Sequence, residues 1–105
     1  MKLVHIMVHF EFADRIAQIL DRQGIGVFAR YPMIEGKDNA GKHYGTQVFP
    51  GNVSVIQAQV IDSKIDDLLR DLRAFKKEKQ AHHHLEAVVL PIERRLDDDD
   101  ENENA

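Results

Sequence analysis

An α+β fold of order βαββαβ is what this 105-residue sequence predicts, from three observations. Apolar residues alternate with period two around Val4–Phe10 and Val53–Val60, and a short apolar run follows near the end. Two intervening segments instead repeat their apolar residues at helical spacing. The one long interval with neither period lies where the second and third strands must be joined.

The first strand spans Leu3 to Phe10, with Val4, Ile6, Val8 and Phe10 on one face and Leu3, His5, Met7 and His9 on the other. From Glu11 to Gln23 the period changes. Phe12, Ile16, Ile19 and Leu20 line one side of a helix, Ala13 and Ala17 lie beside them, and Gly24 supplies the stop. The second strand is expected from Gly26 to Ile34, at an edge because Pro32 has no N–H to give a neighbour. The third runs from Asn52 to Ile61, with Ile56, Ala58 and Val60 opposed to Val53, Val55, Gln57 and Gln59. Asp62 or Ser63 is expected to cap a second helix carrying Ile65, Leu68, Leu69, Leu72 and Phe75. Lys76, Lys77 and Lys79 suit its C-terminal end. Leu85 to Pro91 is the last strand.

Two right-handed crossovers in so short a chain give a ferredoxin-like layer: a four-stranded antiparallel sheet with both helices on one face. The first and third strands are expected in the middle, flanked by the fourth and second. No element remains to cover the other face, which carries Leu3, His5, Met7, His9, Val53, Val55, Gln57 and Gln59. It also receives either His84, Glu86, Val88 and Leu90 or the opposite set. A mixed face of this kind is expected to bury itself against copies of the chain, as a trimer.

Glu35 to Gly51, EGKDNAGKHYGTQVFPG, is read as the long loop, and it holds four of the six glycines. Loops of this length in compact domains are uncommon unless they bind something or are disordered. The mixture of glycine with lysine, histidine and tyrosine favours a mobile loop that orders on a ligand or partner. Disorder without function and a simple hairpin extension are the competing readings.

The composition excludes several classes. With no cysteine there is neither a disulfide framework nor a thiolate metal site. No apolar stretch approaches a membrane span, and a cytoplasmic location is expected. The net charge of −4 is concentrated in residues 97–105, which contain six acids and no Lys or Arg. Residues 1–96 are therefore read as one domain and 97–105 as a solvated, disordered acidic tail. Without those six acids, 14 basic side chains face 12 acidic ones, which gives no support to nucleic-acid binding.

For anion binding the candidates are Arg30, Lys37, Lys42, Arg94 and Arg95, with Gly36 and Gly41 allowing close backbone approach. Tyr44 and Gly45 are the candidates for partner contact at the loop tip. His82, His83 and His84 are the metal candidates, although consecutive residues on a strand alternate faces and cannot all meet one ion. His5 and His9 lie roughly 13 Å apart along a strand, too far to chelate one ion, and hydrogen bonds to Gln57 or Gln59 are the simpler expectation. No Ser-His-Asp spacing, metal-hydrolase motif or phosphate-binding loop is present, and no enzymatic activity is expected.

The residues so arranged resemble the PII signalling family and its wider PII-like relatives, over almost the whole chain to Leu96. The resemblance is carried by MKLVHIMVHFEFADRIAQIL, by Gly24-Ile25, by the glycine- and lysine-bearing loop, by Val55–Ile61 followed by DSKIDDLLRDLRAF, and by VVLPIE at Val88–Glu93. It implies a trimeric sensor that binds a small anion between subunits, an adenine nucleotide or bicarbonate. Its long loop, residues 35–51 here, would then control a membrane transporter or metabolic enzyme. The small molecule would sit near Arg30 and the Arg94–Arg95 end of a neighbouring subunit. Departures are visible too: KQAHHHLE stands where the family has a phosphate-holding glycine-lysine turn, and Gly51-Asn52 where a lysine is expected. Two other readings remain open at this point. One is a trimeric CutA-like or PII-like protein binding copper, nickel or zinc through its histidines; the other is an ACT-like or ferredoxin-like module binding only protein.

Overall fold

The computed structural model describes residues 1–34, 36–38, 41–43 and 53–96. Among these residues, six strands and two α-helices follow in the order β1 (Lys2–His9), α1 (Ala13–Arg22), β2 (Phe28–Ile34), β3 (Gly36–Asp38), β4 (Gly41–His43), β5 (Val53–Val60), α2 (Ile65–Glu78) and β6 (Glu86–Pro91). The main sheet has the order β2-β5-β1-β6 and is antiparallel throughout, so the expected α+β architecture and strand order are observed. β2 lies at an edge, where Pro32 costs no ladder hydrogen bond.

Alternation sorts the sheet residues into two layers. Val4, Ile6, Val8, Ile56, Ala58 and Val60 are buried against Ile16, Ile19 and Leu20 of α1 and Leu68, Leu72 and Phe75 of α2. Each helix turns its apolar stripe to the same side of the sheet, which is why one core serves the whole domain. Two ends differ from expectation. The chain enters both helices through a single 3-10 turn, Phe10–Phe12 and Asp62–Lys64, and neither helix has a side-chain cap at its N-terminus. Asp62 is not a cap because its carboxylate accepts from the Met1 ammonium at 2.6 Å. The second strand begins at Phe28, not Gly26, although Val27 O already accepts from Gln59 N.

The register settles the outer face. Glu86, Val88 and Leu90 stand opposite Met7, His5 and Leu3, so they share the layer away from the helices. Its two halves are unlike. Toward β2, Val53 and Val55 are buried within the chain, whereas Val88 and Leu90 on β6 are 50% and 45% exposed. At the centre the Gln57 side-chain amide donates to His5 Nδ1 at 3.2 Å, the partnership expected of that pair.

Within the interval expected to be one continuous loop, β3 and β4 form a two-stranded antiparallel ribbon. Its register places Lys37 opposite Lys42, with Gly36 opposite His43 and Asp38 opposite Gly41. In this part the chain takes the form of the competing reading, a hairpin extension, and not of the favoured mobile loop. Tyr44, Gly45, Gly51 and Asn52, and the tail from Asp97 to Ala105, lie outside the described residues.

Candidate functional site

Beyond Pro91 the chain does not simply leave the sheet. Ile92 N donates to Met1 O at 3.3 Å, and three residues later Arg95 Nη1 donates to Gln59 Oε1 at 2.7 Å. Residues 92–95 thus continue along the end of the sheet beside β1, and the Arg95 side chain reaches over to β5. This stretch makes one wall of an open groove of about 610 Å³, floored by Leu3 and Gln59 and completed by Pro91, Ile92, Glu93, Arg94 and Arg95. Strand alternation puts Leu3 and Gln59 on the outer face, and their cross-strand pairing makes them neighbours.

The groove brings two arginines and one glutamate together around Leu3 and Gln59, and a guanidinium offers a planar fork of donors of the kind that matches phosphate or carboxylate. Gln59 fixes the Arg95 head, which lowers the ordering cost that a bound anion would otherwise bear.

Arg30 is placed elsewhere. It stands opposite Ile56, a core-facing position, and its Nη1 donates to Asp14 Oδ1 at 2.7 Å beside the start of α1. Within one chain it is therefore on the helix layer, while Arg94 and Arg95 reach the outer layer. Lys37 and Lys42 are brought together by the ribbon register, and Gly36 and Gly41 are ribbon residues as well.

The three consecutive histidines are separated by their surroundings. His82 is 1% exposed, donates from Nδ1 to Phe75 O at 2.8 Å, and stacks on the Phe75 ring with centroids 3.9 Å apart. His84 Nε2 accepts from the His9 backbone N–H at 2.8 Å, and His83 is exposed. Among the described residues no group of three or more His, Asp or Glu side chains comes together as a metal ligand set. The run instead closes an aromatic cluster in which Phe12 lies 4.5 Å from the His82 ring and 6.1 Å from Phe75.

Leu3, Gln59, Pro91 and Glu93 are groove residues that sequence reasoning did not single out as a site. The signal for the first two was their shared face. The position of Glu93 depends on an irregular stretch that has no period to read.

No protein-family model matches the sequence, and no curated protein matches it. Solved structures do resemble it. A nitrogen regulatory PII-like protein from Thiomonas intermedia K12, bound to ADP, AMP and bicarbonate, superposes with a TM-score of 0.69 at 20% identity, covering 87% of this chain and 90% of that one. A PII-like signalling protein from Thermus thermophilus gives 0.62 at 17% identity over 84% and 82% of the two chains. A DUF3240 family protein from Shewanella baltica gives 0.66 at 14% identity over 91% and 94%. With its sheet order, its two helices on one face and these likenesses, the chain has the PII-like fold.

Proposed function

We propose that this protein is a PII-like regulatory protein whose effector is a small anion held in the Arg94–Arg95 groove. The single observation that carries the reading is the course of residues 92–95 beside the end of the sheet, which brings two arginines together with Leu3 and Gln59 in one groove. A solved protein of the same fold holds ADP, AMP and bicarbonate, and we take an adenine nucleotide as the effector, with bicarbonate the smaller alternative. Among the described residues the groove is lined by no nucleophile-and-base pair, which supports binding in place of catalysis. The working form is a homotrimer, assembled through the bare half of the outer face around Leu3, Val88 and Leu90. In it the Lys37–Lys42 ribbon, and Arg30, approach the groove of a neighbouring subunit. The segment 35–51 carries the signal to a transporter or enzyme.

Thermal unfolding with ADP, AMP, ATP and bicarbonate tests the reading. A ligand at a hundred times its Kd stabilises the folded state by about 2.7 kcal/mol, a shift of several degrees for a domain of this size. The shift is expected with ADP or AMP and should be lost in Arg94→Gln/Arg95→Gln. An unchanged melting temperature with every nucleotide and with bicarbonate would remove the proposal.

A further inference from the structure

We infer that the outer edge of β6, with the groove between it and α2, takes up an extended segment of another protein in which β-branched residues alternate with carboxylates. This holds whether or not the Arg94–Arg95 groove takes an anion.

The two edges of the main sheet are unlike. β2 carries Pro32 and a register shift between Tyr31 and Ile34, both of which discourage a further strand. The middle of β6 reads Ala87, Val88, Val89, Leu90, with neither charge nor proline, and among the described residues it pairs only with β1. The rungs of that pairing fix which backbone groups are left over. Ile92 N donates to Met1 O, so Glu86, Val88 and Leu90 exchange their hydrogen bonds with β1. The alternation of an antiparallel ladder then turns the N–H and C=O of Ala87 and Val89 to the open side. Pro91 belongs to the same outward series, where its missing N–H breaks no rung.

Along this edge runs an open groove of about 360 Å³ whose lining includes Leu69, Leu72 and Ala87. Arg73 and Lys76 of α2 line it too. Neither is paired with a carboxylate among the described residues, whereas their neighbour Arg70 lies 3.0 Å from Asp67. The carboxylate that borders the groove, Glu86, belongs to the outer layer, opposite Met7.

A strand laid along β6 would hydrogen-bond to Ala87 and Val89 and turn alternate side chains to the two layers. On the helix side glutamates suit the groove, with methylenes on Leu69 and Leu72 and carboxylates at Arg73 and Lys76. On the outer side β-branched residues extend the half-exposed row of Val88 and Leu90. Main-chain hydrogen bonds supply the affinity, and the two cations supply the choice of partner.

The probe is an acetylated, amidated hexapeptide of alternating Val and Glu, added at low salt to the full-length protein. Amide hydrogen exchange followed by NMR should be fast at Ala87 and Val89 in the free protein and slow at Val88. All three should be slow once the peptide is bound. The same peptide with Lys in place of Glu should not bind, and Arg73→Glu/Lys76→Glu should weaken the Val–Glu peptide about tenfold or more. No binding of the Val–Glu peptide, binding without new protection at Ala87 and Val89, or an affinity indifferent to the two charge reversals overturns the inference. Protection of both amides already present in the free protein, growing with its concentration if a second copy supplies it, overturns it as well.

Discussion

At Gly24 the backbone takes a φ of 74°, the left-handed region that L side chains avoid, and this bend ends α1 and turns the chain toward β2. A Cβ there would lie 2.7 Å from Lys64 Nζ, which itself donates to Gln23 O at 2.8 Å across the helix end. Gly24→Ala therefore meets backbone strain and displaces a capping lysine, and should cost about 1–2 kcal/mol in urea unfolding. Gly26 is the contrast. Its φ is not positive and a Cβ would meet nothing within 4 Å, so Gly26→Ala should be neutral or slightly stabilising by the same measurement. His82 carries a second residue-scale prediction. Replacing it by Phe keeps a ring against Phe75 but leaves the buried Phe75 carbonyl without its donor, and about 1–3 kcal/mol should be lost. A stable His82→Phe chain would show that stacking, and not the hydrogen bond, is what the position requires.

At the scale of elements, side-chain joints tie one element to the next. Gln23 Nε2 donates to Asp71 Oδ2 at 2.5 Å, tying the end of α1 to α2, and the Arg15 guanidinium lies 5.1 Å from the Phe75 ring centroid. Asp62 ties the start of β1 to the entrance of α2. The hydrogen bond from the Met1 ammonium holds its carboxyl below the ordinary carboxylate range, with the charges of that ammonium and Lys2 acting in the same direction against a desolvation contribution that raises it. A depressed folded pKa means that its stabilisation is fully present above the unfolded carboxylate value and disappears as pH falls through the folded value. Carboxyl carbon shifts of Asp62 followed by NMR should show the low titration, and acetylating Met1 should return it toward the ordinary range. These elements were largely legible beforehand, because a 3.6 or 2 residue period is imposed by the backbone itself. The helix entrances were not: Asp62 read as a cap until a residue 61 positions away in sequence claimed it.

For the whole molecule, the proposed trimer makes the outer face of the sheet the contact between copies. Val88 and Leu90, half exposed on β6, are expected at the trimer contact, so Val88→Glu/Leu90→Glu should yield a folded monomer by sedimentation and circular dichroism. Trimers that persist in this variant would place the contact elsewhere. The segment 35–51 gives the last expectation: alanine at Lys37, Lys42 and Tyr44 should leave melting temperature and oligomer nearly unchanged while abolishing binding to the target protein. By itself the sequence determined which residues share a face, where the helices lie and which strand takes an edge, because those follow from side-chain periodicity and from proline's missing N–H. Tertiary structure alone decided that Leu3, Gln59 and the two arginines form one groove and that Arg30 faces the other layer. It also decided that the three histidines part company. Those outcomes depend on an aperiodic stretch and on partners far apart in the chain, and no local pattern encodes them.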